Sequence, residues 1–155
     1  MINLSPEKGP SAELLLYMAR VEFVRDKILG LEFRNSIERA DQIDRNVDPE
    51  EAEPLFSRAF DLLCEGWERV RINPEAYTNL VEWSEEETLY GCGRPSVKEA
   101  LVETCINDLL DEYPDILGRL AEKHKEAGRH TELNECRSRL QQVHKFATSI
   151  GINVW

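Results

Sequence analysis

The chain has no long apolar run: no stretch approaches the roughly 20 residues needed to cross a bilayer as a helix. The first residues, MINLSPEKGPSAELLLYM, lack a basic start, and their short apolar run carries Glu13. They do not read as a signal peptide, which points to the cytoplasm. Cysteine is sparse and unpaired: Cys64, Cys92, Cys105 and Cys136 include no CxxC pair and no four-ligand spacing for zinc. No structural metal and no cofactor are expected, and free thiols suit a reducing compartment. No segment of useful length alternates apolar and polar residues as a strand would, the tail SIGINVW being the sole candidate. A phosphate loop is also missing, since GCGRP (91–95) lacks the GxxxxGK[ST] pattern and follows no strand.

What is present is helical periodicity almost throughout. With 155 residues, of which 41% are hydrophobic and 32% charged, the chain can fold as one domain around a sizeable core. Leu14, Tyr17, Val21, Val24, Ile28 and Leu31 are spaced 3, 4, 3, 4, 3, which is a packing seam. Phe33, Ile37, Ala40, Ile43 and Val47 continue it. No proline interrupts residues 11–47, so one long helix and a pair bent near Gly30 are both open.

Asp48 and Pro49 then cap and open a helix whose face carries Phe56, Ala59, Leu63 and Val70, widened by Leu55, Leu62 and Trp67. Asn73 caps a short helix starting at Pro74. After an irregular stretch, a helix opens at Pro95 or Ser96, with Val97, Leu101, Cys105 and Val102, Ile106, Leu109, Tyr113 as adjacent stripes. Pro114 is expected to break or kink it. Gly128 ends the next helix as a C-cap. The last helix starts near Thr131 and has the seam Leu133, Cys136, Leu140, Val143, Ala147 and Ile150. The expected fold is all-α: one antiparallel helical bundle of four to five main helices over residues 1–155, with one irregular acidic connection at about 73–95.

Basic residues are scarce where acidic ones concentrate. The net charge is -11, which argues against direct binding to nucleic acid or an anionic membrane. Residues 1–74 hold 15 acidic and 10 basic residues, a net of -5. Residues 75–115 hold 11 acidic and 2 basic, a net of -9, and residues 116–155 hold 4 and 7, a net of +3. A central acidic patch of this kind suits a protein partner with a basic surface. The acidic centre of one copy can also meet the basic C-terminal part of another, giving salt-sensitive self-association.

Several residues invite a chemical reading. His124 and His130 straddle Gly128, so nothing fixes a metal geometry between them. Glu85, Glu86 and Glu87 are consecutive and do not converge on a cation; Ser84 with Glu87 reads as a capping box. In CRSRLQQVH (136–144), Arg137 and His144 are seven apart and share a helix face, whereas Arg139 and His144, five apart, share one poorly. RSRLQQVH resembles, over eight residues, the R-x4–6-H motif of the HEPN ribonucleases, which are all-helical and dimeric. The resemblance implies that His144 assists proton transfer and Arg137 steadies a phosphate. The acidic net charge opposes RNA approach, and a solvated edge beside Leu140 and Val143 accounts for the same residues.

The expected function is therefore a non-catalytic protein-binding module: an accessory subunit, adaptor or inhibitor, with an acidic inhibitor of a nucleic-acid-binding protein as a special case. The alternative is a HEPN-like ribonuclease using Arg137 and His144. The expected contact residues are Trp83, Glu85, Glu86, Glu87, Tyr90 and Arg94, which combine aromatics and dense charge in the irregular segment. Trp155, ending the apolar tail, is expected to fold back on the bundle.

Overall fold

In a computed structural model, residues 12–77, 97–105 and 109–151 are described. They form six α-helices and no strand: α1 (Ala12–Leu29), α2 (Leu31–Asp41), α3 (Pro49–Ile72), α4 (Val97–Cys105), α5 (Glu112–Glu126) and α6 (His130–Ser149). A 3-10 turn, Pro74–Tyr77, follows α3. The fold class is all-α, and among the described residues no helix is long and apolar enough to cross a membrane.

The open choice over residues 11–47 resolves as two helices. Gly30 separates them with φ 81 and ψ 170, a backbone conformation that costs any residue with a Cβ. The break redirects the seam: Val21, Val24 and Ile28 are buried, but Leu31 is exposed. The second stripe also ends early. α2 stops at Asp41, a turn follows in which the Asn46 N–H donates to Asp44 Oδ1, and Val47 lies exposed rather than in the core.

α3 is the central helix. Asp48 and Pro49 occupy its N-cap and first position as expected. Glu32 receives Arg58 at 2.8 Å, and the Ile28 carbonyl accepts from Arg69 Nη2 at 2.5 Å, so α3 runs back along α2 and reaches the end of α1. Gly66 permits that approach: a Cβ there would collide with Leu29 and crowd Ile28. α5 packs antiparallel on α3, with Lys123 paired to Glu50 and Tyr113 bonded to Glu53. α6 returns from the Gly128 turn (φ 71) along α5 and runs parallel to α3, with Arg139 against Asp61 and Phe146 against Trp67. α4 packs chiefly on α1.

The expected helix through Tyr113 is corrected. α4 ends at Cys105, Leu109 and Leu110 form a π-type turn, and α5 begins at Glu112. Pro114 therefore sits in the first turn of α5, where its missing N–H needs no partner. The last helix likewise begins a residue earlier than Thr131, at His130. The core joins Phe33, Phe56, Leu63, Leu101, Tyr113, Ile116 and Val143, all fully buried. Aromatic rings link its layers: Phe56 stacks on Tyr113 with centroids 6.1 Å apart, and Phe60 meets Phe146 edge-on at 5.7 Å.

Candidate functional site

Helices α3, α5 and α6 meet around Arg139. Its place follows from helix period: Cys136, Arg139, Val143 and Ala147 share one face, and the hydrophobic members are buried against α5 and α3. An arginine on that face must bring its partners with it. Its Nη2 donates to Asp61 Oδ1 at 2.7 Å, to Ser57 Oγ at 2.9 Å and to the Ser57 carbonyl at 3.1 Å. Its Nε donates to Tyr113 Oη at 3.1 Å, and its Nη1 to Gln142 at 2.8 Å. The guanidinium also lies over the Phe60 ring, 4.8 Å from its centroid.

Tyr113 passes the network on, donating its hydroxyl proton to Glu53 Oε2 at 2.6 Å. Burial, then the Glu53 carboxylate, pushes the Tyr113 pKa well above the ordinary phenol range. Burial opposes the charge on Arg139, but bonds to Asp61 and Tyr113 outweigh it and hold its pKa above the ordinary value.

Beside this network lies a cleft of about 360 Å³ between α3, α5 and α6. Leu117 and Leu120, both buried, form its floor, while Glu50, Glu53, Glu132 and Glu135 bring four carboxylates. Among the described residues that line the cleft, Arg139 is the one cation apart from histidine, and it already faces Asp61. Glu50 is paired with Lys123, which lowers its pKa through the hydrogen bond first. Glu132 and Glu135 are exposed and bond to no described side chain.

His124 and Cys136 also line the cleft, so a cysteine–histidine nucleophile merits consideration. The environment works against it. Burial, then Glu53 and Glu135, raises the Cys136 pKa and keeps the thiol protonated. The His124 Nδ1 is engaged as acceptor for Arg129 Nε at 2.9 Å. Cys64, half-buried beside Asp61, is pushed to about 11 by burial. Among the described residues, no three His, Cys, Asp or Glu side chains are grouped to hold a metal ion.

The ribonuclease-like pair falls on α6. Arg137 is exposed and has no hydrogen-bond or ionic partner among the described residues. His144 is half-buried, and its Nε2 is shielded from solvent without a hydrogen-bond partner. Seven residues place the two Cα atoms about 10 Å apart along the axis. The structure thus leaves them on one face without bringing them together, while Arg139, the other arginine of the motif, ties the helices. The expected contact residues Trp83, Glu85, Glu86, Glu87, Tyr90 and Arg94 lie outside the described residues, as do Ser84, GCGRP (91–95) and Trp155.

The cleft escaped the linear reading because its carboxylates come from two helices about 80 residues apart in sequence. The available signal was Arg139 itself, a cation on an apolar face. No protein-family model, curated protein or solved structure matches the chain.

Proposed function

We propose that this protein is a non-catalytic binding module, acting as an accessory subunit, adaptor or inhibitor, and that it takes a partner with a basic surface. The observation that carries this reading is the α3–α5–α6 cleft, with its apolar residues, four glutamates and internally paired arginine. A lysine or arginine side chain of the partner enters over the buried floor of Leu117 and Leu120 and sets its charge among Glu132 and Glu135. The net charge of -11 supports this by steering a basic surface toward the molecule. The acidic segment with Glu85, Glu86 and Glu87 extends the same preference. A protein that otherwise holds nucleic acid fits the partner's chemistry, which makes the module an acidic competitor. The ribonuclease alternative asks His144 to reach a phosphate, and the shielding of its Nε2 works against that.

Affinity capture from the native source, followed by titration with the purified partner, tests the reading. The expected partner has a basic surface, binds more weakly as salt rises, and is displaced by nucleic acid. A partner of acidic surface, or one whose affinity ignores salt, contradicts it.

A further inference from the structure

The turn between α5 and α6 carries a titratable side-chain contact. Where α5 ends, the Gly128 N–H donates to the Lys125 carbonyl at 3.2 Å and the Arg129 N–H to the His124 carbonyl at 2.9 Å, with Gly128 at φ 71. A helix that ends in this way brings the residue after the glycine beside one in its last turn, and an apolar contact commonly joins the two. Here those residues are Arg129 and His124, and the contact is polar: Arg129 Nε donates to His124 Nδ1 at 2.9 Å. Nδ1 accepts that bond only while it carries no proton.

We infer that this bond is a pH-operated clasp on the α3–α5–α6 cleft: neutral His124 holds Arg129, and protonated His124 releases it and gives its charge to the cleft. A protonated imidazole has an N–H at both nitrogens, so Nδ1 then faces Arg129 donor to donor and cation to cation. His124 is half-buried and lines the cleft, so its charge falls among the carboxylates there. On α3, Glu50 is engaged by Lys123 and Glu53 by Tyr113. On α6, Glu132 and Glu135 bond to no described side chain and remain open to the new cation. Arg139 stays with Asp61, and burial keeps the Cys136 thiol protonated, so neither takes part. The hairpin itself survives the release. Its backbone bonds do not titrate, and His124 stands in the last turn of α5, where the helix dipole favours a positive charge.

The consequence for binding rests on the proposed reading of the cleft as a receptor for a basic side chain. A charge on His124 competes with the partner's own charge for Glu132 and Glu135. Affinity for a basic partner therefore falls as pH falls through the range of about 5–8 in which imidazoles take up a proton.

Nitrogen-15 NMR on the full chain tests the clasp without any partner. At about pH 8, His124 is expected to show an unprotonated Nδ1 beside a protonated Nε2. As pH falls, the Arg129 Nε signal is expected to move with the same midpoint as the His124 ring. In His124→Gln, whose amide oxygen accepts at every pH, the Arg129 signal is expected to stay still. Binding of a hexa-arginine peptide, titrated in the same samples, tests the effect on the cleft. Its affinity is expected to fall roughly threefold more in the native protein than in His124→Gln between about pH 8 and pH 5. A proton on Nδ1 at about pH 8, an Arg129 signal that ignores His124, or an equal fall in affinity in both proteins overturns the inference. A peptide that binds at no pH, beside an Arg129 signal that follows His124, upholds the clasp and contradicts the reading of the cleft instead.

Discussion

Arg139 holds three helices with one guanidinium: Asp61 and Ser57 on α3, Tyr113 on α5 and Gln142 on its own helix α6. The planar fork matters more than the charge, since lysine cannot serve these acceptors together. Arg139→Ala is expected to destabilise the fold by about 2 kcal/mol, and Arg139→Lys by about half that, in urea unfolding. Asp61 keeps access to water at 49% side-chain exposure, which holds the loss below that of a fully buried pair. Tyr113 makes a pH prediction. Its folded pKa is raised above the ordinary 10.0, so the folded state retains the proton longer than the unfolded chain. The contribution is fully present below pH 10 and is lost as pH rises from there through the folded value. Cys64 and Cys136, whose pKa values burial also raises, add an alkaline loss that is the same in either protein. Urea unfolding of the native protein is expected to show a steeper loss above pH 10 than Tyr113→Phe, and losses of equal steepness would contradict the Tyr113 assignment.

At the scale of elements, the seams of α1, α3 and α6 were legible because a spacing of 3 and 4 has one physical meaning, a helix with one buried face. Val21, Val24, Ile28, Phe56, Ala59, Leu63, Val70, Leu133, Val143 and Ala147 all lie buried. Boundaries set by local backbone geometry were harder to read. The end of α2 is fixed by the turn at Asp44–Asn46, which periodicity does not report. The π-type turn at Leu109 and Leu110 precedes the proline that seemed to demand a break. Gly30 was ambiguous because glycine is tolerated inside a helix at modest cost, and the left-handed backbone it adopts is a product of how α1 and α2 pack. Gly30→Ala is expected to lower stability by about 1–3 kcal/mol, since φ 81 with ψ 170 is nearly confined to glycine. A neutral substitution in thermal or urea unfolding would mean that the bend does not need this conformation.

At the scale of the molecule, uneven charge was visible in sequence, but its arrangement into a cleft was not. Glu50 and Glu53 on α3 and Glu132 and Glu135 on α6 converge only because α5 bridges the two helices. The motif around His144 shows the reverse. Arg137, Arg139 and His144 are close in sequence, yet Arg139 turns to α3 and α5 while Arg137 faces solvent. The binding module and the enzyme place different demands on these two groups of residues, and one titration against the captured partner decides between them. Glu132→Lys with Glu135→Lys is set beside Arg137→Ala with His144→Ala, with RNA cleavage followed in the same samples. The account predicts at least a tenfold loss of partner affinity for the glutamate reversal, with near-native affinity for the arginine–histidine pair and no cleavage by any of the proteins. Unchanged affinity after the glutamate reversal, together with RNA cleavage that disappears in the Arg137→Ala, His144→Ala protein, would contradict it.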